Sequence, residues 1–169
     1  WLQRRRPDLT DALVTTHAEG QVVTSLAPLT ADRADALLRR LFDEGEFLGP
    51  HGIRSLSAAY RGGVTLDVAG VSMSVAYDPG ESTTNLFGGN SNWRGPVWFP
   101  VNVLLIDGLR GHARAAGGSA EVEYPTGSGR TRGLGEVADD LEQRLVSLFR
   151  PGADGRRPGT PRDHPSGPL

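Results

Sequence analysis

Asn90-Ser91-Asn92-Trp93-Arg94-Gly95-Pro96-Val97-Trp98-Phe99-Pro100-Val101-Asn102 is the stretch that decides how this chain is read. Its first half is polar and turn-forming, and its second half opens an apolar helix. The spacing predicts a helix over residues 96–115, with Trp98, Val101, Leu105, Leu109 and His112 on one face and Val97, Leu104 and Gly108 widening it. Pro96 suits the first helical turn, and Pro100 falls in the early turns, where a missing N–H costs little. Gly117-Gly118 ends the helix. The mouth of such a helix offers unpaired N–H groups and a positive dipole end. Trp rings stack on the apolar face of a sugar, and Arg and Asn present donors in fixed geometry to hydroxyls or carboxylates. The same residue types suit a tryptophan-anchored junction that only packs, and the residue types alone leave both readings open.

Upstream, residues 78–96 form an irregular stretch, a length that in a compact region is functional or disordered. Before it, Val64-Thr65-Leu66-Asp67-Val68 and Val71-Ser72-Met73-Ser74-Val75-Ala76-Tyr77 alternate with period two around Ala69-Gly70, which reads as a β-hairpin. Ile53 to Ala59 reads as one turn of helix. Leu37, Leu38, Leu41 and Phe42 predict a helix from an N-cap at Thr30 to about Asp43. Residues 1–29 are ambiguous, with a short helix over residues 11–16 and a strand over 21–26 as the readings. Downstream, residues 120–124 read as a strand, 125–135 as a Gly-rich loop, and 134–149 as a last helix with Val137, Leu141, Leu145 and Leu148 on one face. From Pro151 onward Gly and Pro dominate, and a disordered tail is expected over 151–169.

Composition narrows the chemistry. The chain has 169 residues, 23 Gly and 12 Pro, so about a fifth of it is turn-forming. The net charge of −2 provides no field to recruit nucleic acid or an anionic membrane. All 18 basic residues are Arg, which excludes a Schiff-base or phosphate-loop Lys. The absence of Cys removes disulfides, thiolate nucleophiles and Cys-ligated metals. His17, His51, His112 and His164 have no ligand spacing, so a His-built metal site is not expected. No apolar run is long enough for a membrane helix. With no initiator Met and no apolar segment after Arg4-Arg5-Arg6, the chain reads as a piece of something longer, and a cytoplasmic location is the expectation.

Carboxylates offer no pair by sequence. Asp78 reads as a turn residue, Asp107 as the exposed side of its helix, and Asp139, Asp140 and Glu142 as a solvated face. Gly127-Ser128-Gly129 is half a phosphate loop with no Lys after it, and no Gly-x-Ser-x-Gly is present.

The segment from Gly88 to Asn102 resembles glycoside hydrolase family 63, which holds processing α-glucosidase I, mannosyl-oligosaccharide glucosidases and bacterial mannosylglycerate and glucosylglycerate hydrolases. The specific part is Trp93-Arg94-Gly95-Pro96-Val97-Trp98, with Asn102 four positions beyond the second Trp. Supporting segments are Glu46-Phe47-Leu48-Gly49-Pro50-His51-Gly52-Ile53-Arg54-Ser55-Leu56-Ser57, Tyr77-Asp78-Pro79-Gly80-Glu81-Ser82-Thr83-Thr84, Tyr124-Pro125-Thr126-Gly127-Ser128-Gly129 and Asp154-Gly155-Arg156-Arg157-Pro158. The resemblance implies a mainly α fold, a partial (α/α)6 toroid over residues 1–150 with a β-hairpin insertion and long loops. It implies an inverting glucosidase-type mechanism on α-glucosyl or α-mannosyl linkages of oligosaccharides or glycosylglycerates, without metal or cofactor. Trp93 and Trp98 would line the sugar subsite, joined by Asn92, Gly95 and, as orienting or bracing groups, Arg94 and Asn102. The family's general acid Asp and general base Glu match no segment of this chain, so no catalytic residue carries over. A fragment that relies on the remainder of its parent domain is one expectation; a non-catalytic carbohydrate-binding or interaction module is the other.

Overall fold

The structure, a computed structural model, describes residues 1–18, 20–26, 31–80, 85, 93–116, 118–158 and 160. A short helix, α1 (Leu2–Arg5), and a 3₁₀ turn at Pro7–Ala12 lead into the hairpin of β1 (Leu13–Ala18) and β2 (Gln21–Leu26). The helix expected over residues 11–16 is therefore a 3₁₀ end followed by a strand. Its Val-Thr-Thr run is β-branched and stiff at χ1, and it finds a partner strand in 21–26. Helix α2 (Ala31–Leu41) follows, while its expected cap at Thr30 lies outside the described residues.

The turn expected at residues 53–59 is not helical at its start. Leu48–Gly49 (β3) pairs with Gly52–Ile53 (β4), and Arg54 bridges antiparallel to Val97 before a 3₁₀ helix at Ala58–Gly62. The expected hairpin forms as β5 (Val64–Val68) and β6 (Val71–Val75). Ala69 and Gly70 both take positive φ, 51° and 79°, the pair of signs a two-residue turn needs to match strand twist.

Helix α3 (Phe99–Ala115) begins three residues later than the spacing predicts. Val97 is held extended by its bridge to Arg54, and the Pro96 carbonyl accepts from the Ser55 N–H at 3.0 Å, so helical dihedrals start only after Trp98. The buried face also differs from the expected one. Asn102, Ile106 and Leu109 are buried, whereas Val101, Leu104 and His112 are exposed. β7 (Glu121–Glu123) pairs with β8 (Thr131–Gly133), so the expected loop over 125–135 contains a strand. Helix α4 (Leu134–Ser147) buries Leu134, Val137, Ala138, Leu141 and Leu145, the periodic positions. Leu148, read as part of that face, is only half-buried against it.

Helices and two-stranded antiparallel hairpins share the described chain, a mixed composition rather than the mainly helical one expected. Phe42, Leu48, Ile53, Ile106, Leu109, Val122, Tyr124 and the α4 face form one core, in which α3 and β4 both pack against α4. Among the described residues no helix is long and apolar enough to cross a membrane. Residues 161–169, the end of the expected disordered tail, lie outside the described residues.

Candidate functional site

The site is built from where α3 begins. Trp93 is 56% exposed and Trp98 half-buried, with ring centroids 4.3 Å apart and planes tilted by 60°. Two adjacent indoles at the surface form an aromatic ledge with both apolar area and N–H donors. Between them Arg94 and Gly95 are buried, and Pro96 and Val97 are half-buried. Arg94 is 3% exposed and its Nη1 lies 3.6 Å from Asp78 Oδ2, while its carbonyl accepts from the Asp78 N–H at 2.6 Å. Asp78 therefore does more than form the turn read from sequence: it ties the end of the β5–β6 arm to the tryptophan segment.

Gly95 has φ 124°, and a Cβ there would sit 2.3 Å from Tyr77 Cε2 and 2.4 Å from Cδ2. Only a residue without a side chain lets the backbone lie on the Tyr77 ring. The Arg61 guanidinium sits 4.7 Å from the same ring's centroid, and the Gly95 N–H donates to Ser55 Oγ at 3.0 Å.

Asn102 is 2% exposed. Its Oδ1 accepts from the Ile53 N–H at 2.7 Å, and its Nδ2 donates to the Ile53 and Trp98 carbonyls, each at 2.9 Å. The amide thus ties strand β4 to the residue that carries the half-buried indole. Gly52 makes room for it, since a Cβ there would meet Asn102 Oδ1 at 2.9 Å. Of the six residues expected at the site, Trp93, Arg94, Gly95, Trp98 and Asn102 lie together, the exposed Trp93 and half-buried Trp98 as the ledge and the other three as buried residues beside it. Asn92 lies outside the described residues.

Sequence reasoning did not single out the residues that hold this support. Tyr77, Ser55, Ile53 and Arg54 fall in the supporting segments of the resemblance, and the hydrogen bonds and the Gly95 contact reveal their role as supports. Arg54 is the clearest case: its Nη1 donates to the carbonyls of Glu44, Glu46 and Leu48 at 2.8–3.0 Å, fastening the turn after α2 beneath the β4–Val97 bridge.

A second polar cluster braces the opposite end of the same hairpin. Arg144 donates to Asp140 Oδ2 at 2.7 Å and to the Gly49 carbonyl at 2.9 Å, and Tyr124 Oη donates to Asp140 at 2.5 Å. Asp140 is therefore not part of a solvated face, as read from sequence. Burial pushes the Tyr124 phenol well above its ordinary range, and the Asp140 carboxylate adds to that. Burial by itself would raise Asp140, but the hydrogen bonds from Tyr124 and Arg144 outweigh it and hold the carboxyl below its usual 3.8. A depressed folded value stabilises the fold above the unfolded value and loses that contribution as pH falls through the folded one. Asp140→Asn is expected to cost about 2 kcal/mol at neutral pH. In thermal melts the gap between the two proteins should close below pH 3.8, and a gap independent of pH would refute this.

Asp139 and Glu142 pair with Arg110 across the α3–α4 seam. Among the described residues no group of three or more His, Asp or Glu is gathered as a metal would need. Gly127 and Gly129 form a positive-φ turn whose Gly129 N–H donates to Glu123, so that segment is a hairpin connection between β7 and β8.

The protein YMR196W of Saccharomyces cerevisiae is 41% identical over 160 residues, 93% of this chain and 15% of that protein. A probable mannosyl-oligosaccharide glucosidase of Schizosaccharomyces pombe is 32% identical over 89 residues, 52% of this chain and 8% of that protein. The chain thus spans a small part of the curated relatives it matches. No solved structure matches it. The profile of the mannosylglycerate hydrolase MGH1-like glycoside hydrolase domain matches residues 4–155. By that match over most of its length, the chain belongs to the MGH1-like glycoside hydrolase domain family.

Proposed function

We propose that these residues are the sugar-binding part of an inverting α-glycosidase of the family 63, glucosidase type, acting on α-glucosyl or α-mannosyl linkages in oligosaccharides or glycosylglycerates. In this reading residues 1–150 are a portion of an (α/α)6 toroid and the rest of the domain supplies the chemistry. Inversion requires a carboxylic acid to protonate the leaving oxygen and a carboxylate to activate water, with the two groups roughly 6.5–9.5 Å apart. No residue of this chain is assigned to either role. The reading rests on one observation, the ledge of exposed Trp93 and half-buried Trp98 mounted on buried Arg94, Gly95 and Asn102. A pyranose ring would stack on the indoles, and the buried groups would hold the ledge in place rather than touch the sugar.

Two measurements test it. Calorimetry with gluco- and manno-oligosaccharides should detect binding that Trp98→Ala weakens about thirtyfold. That figure corresponds to about 2 kcal/mol, from losing roughly 80 Å² of apolar contact at about 25 cal/mol per Å². The 169-residue chain should hydrolyse a chromogenic α-glucoside negligibly. Binding unaffected by Trp98→Ala, or robust turnover abolished by an Asp or Glu substitution within the chain, overturns the reading. Binding with no turnover in any longer polypeptide favours a non-catalytic carbohydrate-binding module instead.

A further inference from the structure

The Tyr77 ring joins two parts of the chain. The backbone of Gly95, which lies between the two indoles in sequence, rests against its Cδ2 and Cε2. Over the same ring sits the Arg61 guanidinium, with Cζ 4.7 Å from the centroid. Arg61 lies in the last turn of the 3₁₀ helix Ala58–Gly62, whose start is capped by the Ser57 hydroxyl accepting from the Ala59 N–H at 3.2 Å. The Tyr60 carbonyl accepts from the Tyr77 N–H at 3.0 Å and from the Gly63 N–H at 2.9 Å, so the backbone beside Arg61 is tied to the residue that carries the ring. The three arginines around this ring are used differently. Arg94 is buried against Asp78, and Arg54, 6.0 Å from the centroid, gives its Nη1 to three backbone carbonyls. Arg61 is exposed, and among the described residues no carboxylate or carbonyl accepts a hydrogen bond from it. A guanidinium held against an aromatic ring keeps the N–H groups at its edge open to a ligand. Those groups match the two oxygens of a carboxylate, whereas a hydroxyl offers a neutral partner that water replaces at little cost.

We propose that Arg61 is a specificity-determining residue that takes a carboxylate on the glycoside whose pyranose rests on the Trp93–Trp98 ledge. The proposal rests on the reading of that ledge as a sugar-binding site and narrows its ligand to an acidic glycoside. The carboxylate comes either from a glycerate aglycone or from a uronic acid. One phenol ring separates the guanidinium from the Gly95 backbone, so the step from the indoles to Arg61 is on the scale of one further sugar unit or a three-carbon acid. The acidic ligand gains a charge-assisted pair that its neutral counterpart lacks. Because Arg61 is exposed, that gain falls as salt rises.

Two matched pairs of ligands test this by calorimetry with the 169-residue chain. Glucosylglycerate and glucosylglycerol differ only in a carboxylate against a hydroxymethyl group. Methyl α-glucuronide and methyl α-glucoside differ in the same way on the sugar itself. The expected result at low salt is that the acidic member of a pair binds about tenfold more tightly than the neutral one. Arg61→Gln should bring the two within about twofold of each other and leave the neutral ligand's affinity unchanged. Arg61→Lys keeps the charge without the two-pronged donor and should retain part of the preference. The pair or pairs that show the preference identify the source of the carboxylate. Equal affinities within both pairs, with binding lost on Trp98→Ala, overturn the proposal and leave the glycosidase reading standing. Equal weakening of acidic and neutral ligands by Arg61→Gln also overturns it, because Arg61 then only supports Tyr77. No binding of these four ligands, with α-gluco-oligosaccharides still bound, overturns the proposal alone. No binding of any sugar overturns the reading beneath it as well.

Discussion

Replacing Gly95 with alanine is expected to lower the melting temperature by roughly 6–12 °C, from about 3 kcal/mol of lost stability at about 2–4 °C per kcal/mol for a chain of this size. Two effects add. Backbone at φ 124° is strained for any residue with a Cβ, and the new methyl would lie 2.3 Å from a carbon of the Tyr77 ring. That ring cannot simply swing away, because Arg61 packs over it at 4.7 Å and the Tyr77 N–H donates to the Tyr60 carbonyl at 3.0 Å. The relief available is displacement of the Trp93–Trp98 segment, so tryptophan fluorescence should change with the melt. A shift smaller than 2 °C with unchanged fluorescence would show that the ring is free to move.

The second large effect belongs to Asn102→Ala. The substitution deletes one acceptor and two donors at a site 2% exposed, and leaves the buried Ile53 N–H and carbonyl without their side-chain partner. Orphaning buried backbone groups costs about 1–3 kcal/mol each, so a loss of about 3–4 kcal/mol is expected by denaturant unfolding. Val103→Ala, one residue along on the exposed side of α3, should cost under about 1 kcal/mol by comparison. Equal costs for the two would mean that the amide network carries little.

What could be read from sequence follows from how many forces agree locally. Helix α4 alternates its apolar and charged residues with one period, and Val137, Leu141 and Leu145 are buried as the spacing requires. The β5–β6 hairpin is equally legible, because alternation and a Gly-containing turn both specify it. Helix α3 is the opposite case. Its first two turns carry apolar residues on the exposed side as well as the buried one, so the pattern does not choose a face there, and the tertiary contact of Asn102 with β4 chooses it instead. Strands β3, β4 and β8 are two or three residues long, too short to show a period. The tryptophan segment was legible as a unit. Its supports were not, because Tyr77, Ser55 and Ile53 reach it from 18 to 49 positions away through single hydrogen bonds or one ring contact.

Arg54 has one more consequence. Its guanidinium gathers three carbonyls of the turn after α2, while its own N–H donates to the Phe47 carbonyl and its backbone bridges Val97. Opening any of these exposes the others, so amide protons of the 47–58 region should exchange with deuterium as a single cooperative unit rather than fraying one by one. The start of α3 is joined to that unit through Val97 and the Ile53–Asn102 bonds, so the ledge should come apart only when the whole unit opens.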